Sequence, residues 1–196
     1  MEDKRTQKLK QIRDKVWNLT NSPLCEYRKK NNCYPVMGEG SHFAKIVFIG
    51  EAPGRNEAQT GRPFCGAAGK ILDDLLGSVN IKRKDVYITN ILKDRPPGNR
   101  DPSIEEIKIY SPFLVRQLEI IKPKIIAALG RFSMEFIMKL YGLEDKLQKI
   151  SRLHGKVFEA KTSWGKTKII PLYHPAVALY NANQLTVLKD DFQALK

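Results

Sequence analysis

Acidic residues are in short supply in this 196-residue chain: 21 Asp and Glu stand against 34 Lys and Arg, leaving a formal net charge of +13. The sequence pI is near 9.7. That imbalance favours a polyanionic partner, either nucleic acid or an anionic membrane surface. A Lys-rich thermophilic protein would show the same excess for reasons of stability alone. Long apolar runs are missing too, and the stretch from Met1 to Lys10 carries no apolar signal core, so the membrane reading fades and a cytoplasmic, prokaryotic, nucleoid-associated protein is expected. Cysteine is scarce. Three cysteines without a secretion signal fit a reducing cytoplasm better than a disulfide framework, and Cys25, Cys33 and Cys65 share no C-x-x-C spacing of the kind that builds a metal site. Repeats, low-complexity tracts and linkers are absent. One domain over 1–196 is the simplest reading, with an N-terminal helix and loop over 1–40 and an α/β core over 41–196.

What is present is an alternation of strands and helices. Asp3 to Leu19 spaces Leu9, Ile12, Val16 and Leu19 as one helical stripe, and Asn21 to Gly40, rich in Asn, Pro and Gly, reads as loop. Strands are expected over Ala44 to Ile49, Asp85 to Thr89, Lys124 to Leu129 and Lys168 to Leu172. Lys156 to Glu159 adds the other arm of a hairpin turning at Trp164-Gly165. Helices are expected over Ala67 to Leu76, from Ser103 to Pro123, over Arg131 to Leu140 and over Gln184 to Leu195. Ser103 and Glu106 have the spacing of a capping box. The pattern predicts an α/β fold, a three-layer α/β/α sandwich around a central, mainly parallel four-stranded sheet. Parallel sheets gather ligand sites at the carboxyl ends of their strands. Here those ends are Gly50 to Gly54, Asn90, Gly130-Arg131 and His174-Pro175.

The segments at these ends read GEAPGRNE (Gly50 to Glu57), TGRPFCGAAG (Thr60 to Gly69), ITN (Ile88 to Asn90), RPPGNRDP (Arg95 to Pro102) and HPAVAL (His174 to Leu179). In order and spacing they resemble the family-four uracil-DNA glycosylases, a mostly thermophilic bacterial and archaeal branch, from about Cys25 to the C-terminus. The resemblance implies a monofunctional enzyme that flips uracil out of DNA and hydrolyses its N-glycosidic bond, leaving an abasic site. It places His174 near uracil O2, where it meets the developing anion; otherwise His174 caps the loop after a strand. Asn90 would bind the O4/N3–H edge, a pattern that rejects cytosine, or else simply end a strand. Phe64 would stack on the flipped ring, or be a core phenylalanine.

Glu51 is the candidate to position water or stabilise the cationic sugar. Ala52 stands where aspartate-bearing relatives carry a general base, and Glu57 would fill the space of a thymine methyl; either glutamate could be a solvated loop carboxylate. HPAVAL resembles the loop that enters the minor groove, with Val177 and Leu179 as apolar wedges and Tyr180 just beyond. Lys93, Arg95 and Arg100 are candidate phosphate contacts or solvated charges.

Most relatives hold an iron–sulfur cluster on four cysteines. At the corresponding positions this chain has Ser22, Cys25, Asp94 and Tyr110, so at most one ligand remains. No cluster, metal or nucleotide cofactor is expected, and Tyr110 and Tyr34 are expected to pack where the cluster would staple the loop. No long insertion separates Arg100 from Glu105-Glu106, unlike a branch that bonds covalently to its product. The expected partner is uracil-containing DNA, with a sliding clamp or polymerase as a further partner and a monomeric state. The rival readings are a DNA-binding module that kept the fold but lost catalysis, and a glycosylase for another deaminated base such as hypoxanthine.

Overall fold

The computed structural model describes residues 3–196, so the first two positions of the domain expected over 1–196 lie outside it. Among the described residues six strands form one sheet, in the order β1-β3-β2-β4-β6-β5. The strands are β1 (Glu39–Gly40), β2 (Ile46–Gly50), β3 (Tyr87–Asn90), β4 (Ile125–Leu129), β5 (Phe158–Thr162) and β6 (Gly165–Leu172). The expectation of four strands is therefore corrected. The four expected parallel strands form the centre, β3-β2-β4-β6, and an antiparallel strand closes each edge. Strand β5 comes from the anticipated hairpin, whereas the two-residue β1 is too short to leave a periodic signal.

The central strands are apolar on both faces, as strands covered on both sides must be. Val47 and Ile49 of β2, with Ile126 and Ala128 of β4, face one core. Phe48, Ala127 and Leu129 face the other. The first core is covered by α1 (Lys4–Trp17), α5 (Ile104–Ile121) and α6 (Arg131–Leu140), and the second by α4 (Ala67–Ser78) and α9 (Asn183–Phe192). This is the expected three-layer arrangement. Burying these faces supplies the main driving force, about 25 cal/mol per Å² of apolar area.

Local signals explain the helix boundaries. The Ser103 side chain accepts from the Glu106 N–H at 3.2 Å, and the Glu106 carboxylate accepts from the Ser103 N–H at 2.8 Å, completing the capping box of α5. Pro123 follows Lys122, which ends that helix in the left-handed conformation. One expectation fails: the stretch over 21–40 is not all loop. It contains α2 (Pro23–Lys30), whose N-cap is Ser22 and whose first residue is Pro23. Proline is favoured there because that N–H has no helical partner. Short helices α3 (Arg55–Thr60), α7 (Ile150–Leu153) and α8 (Val177–Tyr180) complete the chain. No helix among the described residues is long and apolar enough to cross a membrane.

Candidate active site

Register aligns the strand ends. Gly50 pairs with Asn90, Leu129 pairs with Leu172, and the Gly130 N–H reaches the Leu172 carbonyl at 2.8 Å. The loops leaving these ends enclose a cavity of about 400 Å³. Its lining includes Glu51, Ala52, Glu57, Phe64, Asn90 and His174, the residues singled out for catalysis and base binding, joined by Pro96, Asn99, Arg100 and Ala176. A volume of this order suits a small planar ligand.

Each side chain is placed by its local backbone. Asn90 ends β3, is buried, and its side-chain amide makes no hydrogen bond to the described residues, leaving donor and acceptor open to a ligand. A Cβ at Gly50 would collide with Asn90 Oδ1 and stand 2.9 Å from the Phe64 ring, so only glycine keeps this corner open. Phe64 itself has φ +47. Two contacts hold that costly conformation. Glu57 Oε1 accepts from the Cys65 and Gly66 N–H groups at 2.9 and 3.0 Å. Gly69 lets α4 approach the Phe64 backbone where a Cβ would clash. Glu57 is thus a brace for the aromatic as well as a wall of the cavity.

His174 lies 5.5 Å from the Phe64 ring, tilted by 31°. Its Nδ1 accepts from the Ala176 N–H at 3.2 Å, which leaves the proton of the neutral ring on Nε2. Burial pushes its pKa down to about 4 against the opposing pull of Glu57, so the ring is neutral at physiological pH. Glu51 shows the reverse shift. Burial, reinforced by nearby Asp101, raises its pKa to about 7, while Arg131 pulls it down. Asp101 and Arg131 are themselves paired at 2.5 Å, a two-residue control of Glu51 that the sequence reading missed although Gly130-Arg131 was marked as a strand end.

The remaining expectations divide. Lys93 is no phosphate contact: it is fully buried beneath the cavity and cannot reach a bound strand. Its Nζ donates to Thr89 Oγ1, the Asn90 carbonyl and Gln117 Oε1, each at 2.7 Å, and burial lowers its pKa to about 7. Arg95 bonds Asn99 Oδ1 at 2.7 Å, and the exposed Arg100 grips Glu106 through two hydrogen bonds. Of the two, Arg100 lines the cavity. Leu179 is exposed and Tyr180 more so, whereas Val177 is half-buried and packs on the second core.

The four positions where the resemblance puts cluster cysteines do converge. The Tyr110 hydroxyl donates to Asp94 Oδ2 at 2.6 Å and contacts Ser22 Oγ at 3.1 Å. Arg28 donates to Asp94 Oδ1 at 3.1 Å, to Cys25 Sγ at 3.3 Å and to the Trp17 carbonyl at 2.8 Å. One thiol among four groups already bonded to each other and to a guanidinium does not fit an iron–sulfur cluster. Tyr34, by contrast, is exposed and lies tilted beside Trp17, so only Tyr110 of the two expected tyrosines packs in this place.

Comparison with known proteins agrees with the geometry. Residues 37–196 match the family model for the uracil DNA glycosylase superfamily. A type-4 uracil-DNA glycosylase of Archaeoglobus fulgidus is 46% identical over 95% of this chain and 92% of its own length. Those of Saccharolobus solfataricus and Thermotoga maritima are 43% and 38% identical, each over 94% of this chain, and over 83% and 91% of their own lengths.

Proposed function

The chain belongs to the uracil DNA glycosylase superfamily, and within it to the type-4 branch, and from that premise we propose how its cavity excises uracil from DNA. The observation that carries the reading is the open, buried amide of Asn90 facing the same cavity as Phe64, His174 and Glu51. The flipped base stacks on Phe64 and offers its O4/N3–H edge to Asn90, whose NH₂ donates to O4 while its carbonyl accepts from N3–H. The C1′–N1 bond breaks with its electron pair leaving on the base. Negative charge spreads over N1, O2 and O4, where the Nε2–H of neutral His174 meets O2. Glu51, as carboxylate, faces the cationic sugar and orients the water whose oxygen bonds to C1′. The proton this water loses neutralises the departing base. Ala52, lacking a carboxylate, leaves catalysis to charge and position rather than a strong base. Glu57, Arg95, Arg100 and Leu179 line the approach, the arginines toward phosphates and Leu179 toward the gap left by the flipped base.

End-labelled oligonucleotides carrying U, T, C or hypoxanthine, treated with protein and then alkali, test this. Cleavage confined to U is expected, cleavage at hypoxanthine selects the rival substrate, and no cleavage selects the binding-module reading. We further infer that the protein needs no iron–sulfur cluster, since Ser22, Asp94 and Tyr110 offer no thiolate and are satisfied by one another. It acts as a monomer. Light scattering reads that state directly, and pull-down with sliding clamp or polymerase tests those partners.

A further inference from the structure

Lys93 takes no part in the steps above, yet it is a fully buried cation directly behind the base-binding corner. The three groups around its Nζ can only accept. The Asn90 carbonyl has no proton to give. The Thr89 hydroxyl donates its proton to the Met37 carbonyl at 2.9 Å. Gln117 turns its oxygen to Lys93 because its Nε2 donates to the Met37 carbonyl at 2.8 Å and to the Tyr87 hydroxyl at 3.1 Å. Three acceptors require three N–H donors, so the side chain is an ammonium. Its hydrogen-bond partners are all neutral, and among the described residues it forms no ion pair with a carboxylate.

We propose that Lys93 is a positioning residue for glycosidic cleavage: the positive charge of its triply hydrogen-bonded ammonium, acting through Asn90, favours the base as a departing anion. The inference rests on the uracil-excising reading and deepens it. A buried, unneutralised cation is costly unless all its hydrogen bonds are made. A neutral residue of the same size would serve packing alone. The charge polarises the Asn90 carbonyl, fixes the end of β3 on which the base-binding amide is carried, and presents positive potential to the side of the cavity where negative charge develops. Because Lys93 is fully buried, that potential is weakly screened.

The test measures single-turnover excision of uracil and of 5-fluorouracil from otherwise identical duplexes, by wild-type protein, Lys93→Met and Gln117→Glu. Fluorine makes the departing anion more stable and so less dependent on help. Lys93→Met should release uracil roughly tenfold to a hundredfold more slowly, and 5-fluorouracil with a clearly smaller loss. Gln117→Glu keeps the ammonium but sets a carboxylate against it, and should give the same pattern even if Lys93→Met fails to fold. Equal losses on the two bases, or none, in a folded variant would overturn the proposal and leave Lys93 a packing residue. A wild-type protein that releases neither base would instead sink the uracil-excising reading itself.

Discussion

Gly50 and Asn90 stand opposite each other on the last rung between β2 and β3, and the Asn90 amide oxygen occupies the space a Gly50 side chain would take. The amide proposed to bind the base edge therefore has its position set by the sheet rather than by a loop. Asn90→Asp keeps the shape and removes the donor to O4. Uracil excision should fall by about 1–3 kcal/mol in barrier terms, and cytosine, whose amino group a carboxylate can accept, should become a substrate. Unchanged uracil rates in this variant would return Asn90 to a purely structural role.

In the proposed reaction His174 meets charge that exists only as the bond breaks. His174→Ala should slow single-turnover excision by roughly a hundredfold to a thousandfold, the usual scale for one oxyanion donor. Affinity for uracil-containing duplex should change little. Arg95→Ala should do the opposite, weakening binding and its salt dependence while leaving the saturated rate near normal. Equal losses of rate and affinity in His174→Ala would mean that the ring merely holds its loop.

The pH profile should report Glu51 and not His174. With the Glu51 pKa raised to about 7 and the carboxylate as the useful form, kcat/KM should climb about tenfold per pH unit below 7; burial lowers the Lys93 pKa to about 7 as well, so loss of its ammonium should bend the profile down above that pH. His174, already neutral above about 4, should add no inflection of its own between pH 5 and 9. Asp101→Asn removes a charge that raises the Glu51 pKa, so the Glu51 inflection should move to lower pH. Stability should run the other way. The folded state holds the Glu51 proton up to about 7, the unfolded state only to its ordinary 4.5, so ionised Glu51 opposes folding above that range. At pH 8 Glu51→Gln should raise Tm, with the gain fading towards pH 4.5.

Purified protein should be colourless, without absorbance near 400 nm; stoichiometric iron and acid-labile sulfide after anaerobic purification would refute this. Tyr110→Phe should cost about 1–3 kcal/mol of stability by leaving Asp94 short of a buried donor. Arg28→Met should cost more, about 3–5 kcal/mol, because it strands a buried carboxylate. Denaturant titration separates the two.

The cavity was legible in the sequence because its residues follow strands, and strand ends in a parallel sheet must meet. The continuous apolar runs of β2 and β4 and the Ser103–Glu106 capping box were legible because they are local signals. What escaped depends on distant partners. Lys93 looks like a loop cation until Gln117, brought in by α5, closes over it. Asp101 and Arg131 are ordinary surface charges until a loop and the start of α6 set them beside Glu51. Helix α2 escaped because its eight residues bury only Leu24, Cys25 and Arg28, too few for a periodic signal, though Ser22-Pro23 is a good helix start.

The network joining Ser22, Arg28, Asp94 and Tyr110 also bears on the order in which the chain folds. Its Tyr110–Ser22 link spans 88 residues and its Arg28–Asp94 link 66, so neither can form until the sheet has brought these segments together. Such closures are late and slow compared with local helix formation. The N-terminal segment should therefore dock last, and protease attack on a partly folded chain should begin there, before the sheet opens.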